Sequence, residues 1–124
     1  MQASERVRDN GARSVLVVDD DEAIREVIAE VLRDEGYTVA CAENGEQALW
    51  ELSRGPHTDL VLLDLMMPVM SGWELIEELQ ADSKLSQIPI IIVSAMAAPG
   101  AAEHLAKPID LKRLLDTVGR LTSH

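Results

Sequence analysis

The chain has 124 residues, 47% of them hydrophobic, one cysteine, and a net charge of −11 from 11 basic and 22 acidic side chains. That length suits a single domain with one core, and the acid excess argues against direct nucleic-acid binding, which needs clustered Lys and Arg. The lone thiol, Cys41, excludes an internal disulfide and disfavours a Cys-based zinc site. No apolar run reaches membrane-spanning length and the N-terminus lacks a signal-peptide core, so no membrane partner and a cytoplasmic setting are expected.

Residues 1–13 are polar and of mixed charge, and are expected to be flexible ahead of a domain over 14–122. Ser14 to Asp19 reads as a buried strand that stops at Asp19-Asp20-Asp21. Asp20 or Asp21 is placed to cap the helix that follows, in which Ala23, Ile24, Val27, Ile28, Val31 and Leu32 recur at helical spacing up to a stop at Gly36. Thr38 to Ala42 is a short alternating strand that puts Cys41 in the core. Asn44-Gly45 precedes a helix over Glu46 to Ser53 with Ala48, Leu49 and Leu52 inward, ended by Gly55-Pro56.

Leu60-Val61-Leu62-Leu63 is apolar throughout, as in a strand of a parallel sheet covered on both faces, and it ends abruptly in Asp64. Pro68 and Gly72 break the chain before a helix over Gly72 to Gln80, whose inner stripe is Leu75, Ile76 and Leu79. Pro89 to Val93 reads as a fourth interior strand and Glu103 to Ala106 as a brief fifth. Asp110 to Leu121 closes the chain as an amphipathic helix. Strands alternating with helices imply an α/β fold, a doubly wound five-stranded parallel sheet.

One crossover is short. Only nine residues, Ser94 to Ala102, lie between Val93 and Glu103, against roughly ten to twelve or more for a strand–helix–strand crossover. Nine extended residues still span about 30 Å, enough to start a parallel strand. The fold therefore survives with one helix missing or vestigial. Sheet surface around Ile91 and Val93 should then be thinly covered, which favours a covering partner or a homodimer.

Acids end two strands, Asp19 and Asp20 after the first and Asp64 after the central one. If those strands are neighbours, three carboxylates converge, which raises their pKa values unless a cation sits among them. An all-oxygen, incomplete donor set suits Mg²⁺ or Mn²⁺. Ser94 adds a hydroxyl and Lys107 an ammonium at the remaining strand ends, completing a phosphoryl-transfer constellation. Two rivals use the same acids. Asp19 and Asp21 have the spacing of haloacid-dehalogenase-like phosphatases, with Asp19 as nucleophile, but Ala23 stands where that motif wants Thr or Val. An EF-hand calcium loop fails for want of the glycine and the distal Glu.

The series Val17-Val18-Asp19-Asp20, Asp64 with Met67-Pro68 and Gly72, Ser94-Ala95 and Lys107-Pro108 resembles the receiver domain of two-component response regulators (CheY-like, with a flavodoxin-like fold) from Ser14 to about Leu121. The resemblance implies that Asp64 accepts a phosphoryl group from a histidine kinase or histidine phosphotransfer protein. It implies that Asp19, Asp20, Asp64 and the backbone carbonyl of Met66 hold Mg²⁺ (Mn²⁺ as a substitute). Ser94 takes the place of the switch hydroxyl, His104 that of the switch aromatic, and Lys107 that of the phosphate-contacting lysine before a cis proline. The domain would then be a signalling switch that catalyses only its own phosphorylation and dephosphorylation and acts on a downstream protein. A phosphorylation-independent pseudo-receiver is the alternative. Met66 and Met96 would flank the site, and two apolar side chains there imply slow autodephosphorylation. The short segment before Lys107 departs from the family, which places a fourth helix there.

Overall fold

The computed structural model describes residues 13–55, 57–67, 69–95 and 103–122. The apolar runs form five strands, β1 (Ser14–Val18), β2 (Thr38–Ala42), β3 (Leu60–Asp64), β4 (Ile90–Ser94) and β5 (His104–Ala106). All pair in parallel, in the order β2-β1-β3-β4-β5. The described helices are α1 (Glu22–Asp34), α2 (Gly45–Arg54), α3 (Gly72–Gln80) and α4 (Leu111–Thr122), with a 3₁₀ turn at Leu85–Gln87 that sequence patterning does not anticipate.

Local chemistry sets the helix starts. Asp21, Asn44 and Ser71 each accept a backbone N–H of the first turn, from Ile24, Gln47 and Glu74, satisfying donors that would otherwise be left unpaired. Ser71 and Glu74 form a reciprocal capping box. Gly36, at φ +97°, supplies the left-handed turn after α1.

Side chains of successive strand residues point to opposite faces, so the sheet divides one set of apolar runs between two cores. On one face Val15, Val17, Leu60, Leu62, Ile91 and Val93 meet Ile28 and Leu32 of α1 and Leu114 and Val118 of α4. On the other, Leu16, Val18, Val61 and Leu63 meet Ala48 and Leu52 of α2 and Leu75 and Leu79 of α3. Each fully buried Leu or Ile contributes about 1.5–3 kcal/mol before entropy is counted.

Two expectations fail here. Ile91 and Val93 are 0% and 2% exposed, because their parity turns them toward α1 and α4. Their exposure therefore gives no ground for a dimer. Cys41 is only partly buried, packed at the margin of the first core. The Arg13 carbonyl accepts the N–H of Thr38 at 2.9 Å; the rest of the expected flexible N-terminus lies outside the described residues. Between β4 and β5 run nine residues, 95–103, too few for a full helical crossover. Among the described residues no helix lies between β4 and β5 of this five-stranded parallel sheet, consistent with a fourth crossover helix that is missing or vestigial. Residues 96–102, Met96 included, lie outside the described set.

Candidate functional site

Parallel pairing brings every carboxyl end to one edge. Val18 pairs with Leu63, Asp64 with Val93 and Ser94 with Ala106. Asp19 and Asp20 therefore emerge beside Asp64, with Ser94 next and Lys107 just after β5. Sites of open α/β sheets form at this edge.

Asp19 is 2% exposed and fully engaged. Its N–H donates to the Ala42 carbonyl at 3.1 Å. Its carboxylate accepts the Asp21 N–H at 2.9 Å on Oδ1 and Lys107 Nζ at 3.3 Å on Oδ2. Arg25 Nη1 donates to its carbonyl oxygen at 2.7 Å. Asp64 is 5% exposed. It accepts the Met66 N–H at 3.3 Å and lies 3.7 Å from Lys107 Nζ. Asp20 is exposed. Asp20, Asp21, Asp64, Met66, Ser94 and Lys107 line a cleft of about 390 Å³.

One carboxylate oxygen from each of Asp19, Asp20 and Asp64 falls within 4.8 Å of the others. Among the described residues one ammonium, that of Lys107, pairs with Asp19 and Asp64. The imbalance appears on Asp64, whose carboxyl is pushed up to about 6. Burial is the main cause and the Asp19 charge adds to it; Lys107 and the Met66 N–H pull the other way, and Asp20 raises it slightly. A hard divalent cation relieves this frustration, and an oxygen-only donor set open to a cleft fits Mg²⁺ or Mn²⁺, which retain waters and accept further oxygen ligands.

Local packing holds this edge in place. A Cβ on Gly72 would sit 2.7 Å from the Asp64 carbonyl oxygen and 2.8 Å from the Leu65 Cα. Only glycine lets α3 start so close to the end of β3. The Lys107–Pro108 peptide is cis, as expected from the resemblance. His104 is brought to β5 opposite Ile92 rather than into the cleft, and its buried Nε2 has no hydrogen-bond partner among the described residues. Beside the mouth, Ile24 and Val27 of α1 and Pro108, Ile109 and Leu111 line an apolar groove of about 350 Å³, at whose edge Lys107 lies. Val27 and Leu111 are among its exposed members.

Sequence reasoning found every acid here but missed Arg25, whose only signal is a cation in the first helical turn after an acidic strand end. It also left Asp20 and Asp21 as equal cap candidates; Asp21 takes the cap, which leaves the Asp20 carboxylate for the cleft.

Residues 15–119 match the response regulator receiver domain family. Among curated proteins, the chain is 35% identical over 116 residues to the two-component response regulator ORR11 of Oryza sativa subsp. indica, covering 84% of this chain and 79% of that protein. Among solved structures, it resembles Vibrio cholerae chemotaxis protein CheY4, with a TM-score of 0.82 and 31% identity over 90% of this chain and 99% of that one. A Borrelia burgdorferi CheX–CheY–BeF3–Mg²⁺ complex is similar at a TM-score of 0.82 and 26% identity, over 94% of each chain. Among the described residues, no helix is long and apolar enough to cross a membrane.

Proposed function

The chain belongs to the response regulator receiver family, whose members are generally signalling switches, and on that premise we propose that Asp64 accepts a phosphoryl group in a two-component phosphorelay. The observation that carries the reading is the meeting of three carboxylates and Lys107 at one sheet edge, with Asp64 both raised in pKa and open to the cleft.

Asp19, Asp20 and Asp64, with the Met66 carbonyl, are the proposed holders of Mg²⁺, or Mn²⁺ in its place. When bound, the ion supplies charge that offsets the crowded carboxylates and the phosphoryl oxygens. The donor is the phosphohistidine of a histidine kinase or a phosphotransfer protein. A carboxylate oxygen of Asp64 bonds to phosphorus as the nitrogen–phosphorus bond breaks. The imidazole leaves with that electron pair and takes a proton from solvent, and an acyl phosphate remains. Lys107 meets the new phosphoryl oxygens, and Ser94, at the end of the neighbouring strand, hydrogen-bonds one of them. The apolar groove beside Lys107 suits the apolar side chains of a donor protein.

Phosphorylation then shifts a two-state equilibrium through Ser94 and His104, and the altered surface binds or releases a downstream protein. The buried Nε2 of His104, without a hydrogen-bond partner among the described residues, supports a residue that changes surroundings between states. Asp19 is a poor nucleophile here, because it is buried with both carboxylate oxygens engaged. That argues against the hydrolase reading.

Incubation with Mg²⁺ and acetyl phosphate, followed by peptide mapping, tests the proposal. The expected adduct is one base-labile phosphoryl group on Asp64, absent without the metal. An adduct on Asp19, or an undiminished one in Asp64→Asn, would overturn it, and unmodified wild-type protein would favour the phosphorylation-independent alternative.

A further inference from the structure

We infer that Arg25 is a positioning residue for the divalent-cation site: its guanidinium locks the peptide plane that joins the two acids Asp19 and Asp20. The inference rests on the reading that these acids hold the cation. Arg25 Nη1 donates to the Asp19 carbonyl oxygen at 2.7 Å, shorter than the usual N–H···O distance and made from a charged donor.

The contact matters because of what each acid lacks. The Asp19 side chain is fixed independently, by the Asp21 N–H and by Lys107. Asp20 is exposed, and among the described residues no hydrogen bond to its carboxylate is seen. Its position is therefore set by its backbone. On the C-terminal side that backbone is held by the Asp21 cap, through Ile24. On the N-terminal side it is held by the Asp19–Asp20 peptide, whose carbonyl Arg25 grips. Arg25 is itself anchored in the first turn of α1, its N–H donating to the Asp21 carbonyl at 2.9 Å. The helix thus reaches back across its own cap to orient the strand end. Without that grip the peptide can rotate, and Asp20 then meets the ion only after an ordering cost.

Simple charge predicts the opposite sign. Arg25 is a cation close to an acidic cluster, so removing it should attract Mg²⁺ more strongly if Coulomb forces alone act. Orientation predicts weaker binding.

Titration of Mg²⁺ into wild-type protein, Arg25→Gln and Arg25→Lys by calorimetry separates the two, with melting temperatures taken in EDTA to confirm that each variant is folded at the titration temperature. The expected result is a Kd raised about tenfold in Arg25→Gln, equivalent to about 1.4 kcal/mol. Arg25→Lys keeps a donor and should lie between that value and wild type. An unchanged or tighter Kd in Arg25→Gln would overturn the inference. So would a Kd in Arg25→Lys as weak as that of Arg25→Gln, because a hydrogen bond is then not what acts. Failure of the wild type to bind Mg²⁺ would instead sink the cation site itself.

Discussion

The strand β3 carries an aspartate at each end, and the two lead different lives. Asp59, just before the strand, is satisfied: its Oδ2 accepts the Ser14 N–H at 2.8 Å, its N–H donates to the Ser14 carbonyl at 2.8 Å, and its Oδ1 lies 3.0 Å from His57 Nε2. It staples β3 to β1. Asp64, the last residue of the strand, is more deeply buried, accepts one long backbone bond at 3.3 Å, and faces two other carboxylates with one ammonium between them. The same side chain is structural where its charge is met and functional where it is not. Stored electrostatic cost at a rigid strand end fits the proposed role of Asp64 toward a cation and a phosphoryl group.

Asp64→Asn should break the contrast most strongly. Phosphoryl acceptance should be lost altogether, while the fold becomes more stable in Mg²⁺-free buffer. The folded-state pKa of Asp64 is raised from 3.8 to about 6. Between those values the folded state holds a proton that the unfolded state has released, so stability falls as pH rises through about 4 to 6. Above that window the charged carboxylate costs up to about 3 kcal/mol, which the amide removes. Urea unfolding at pH 7.5 should show the gain in the variant, and at pH 4 the two proteins should converge. Added Mg²⁺ should stabilise the wild type much more than the variant.

Asp59→Ala makes the converse test. Loss of the bond to Ser14 should lower unfolding stability by about 1–2 kcal/mol, while acetyl phosphate still labels Asp64 at the wild-type rate. Labelling that falls in step with stability would erase the division between the two ends.

The smallest effect belongs to Met66, which lines the cleft and is 63% exposed. An apolar side chain there shields a phosphoryl group without orienting water. The phosphorylated wild type should therefore persist well beyond seconds, and Met66→Asn should shorten that lifetime several-fold with a change in stability within about 0.5 kcal/mol. Decay of labelled protein measures both.

The sheet and its acidic edge could be read from the chain because apolar runs ending in Asp carry two independent signals, burial and charge. Parity could not. Ile91 and Val93 sit in an unbroken run, Ile90 to Val93, which has no alternation to say which face each residue takes; register against β3 decides it. Cys41 misled in the opposite way, since a strand beside β1 at the end of the sheet is only partly covered. Arg25 was invisible because its partner is a backbone carbonyl, which no side-chain motif records.

The central claim is that Asp64 is held, protonated more readily than an ordinary carboxylate, among acids that a divalent ion must reconcile. Carboxyl-carbon NMR titration of Asp64, with and without Mg²⁺, reads that directly. A midpoint about 6 in EDTA, moving to lower pH on saturation with Mg²⁺, is the expected result. An ordinary midpoint near 4 that Mg²⁺ leaves unmoved would contradict the account.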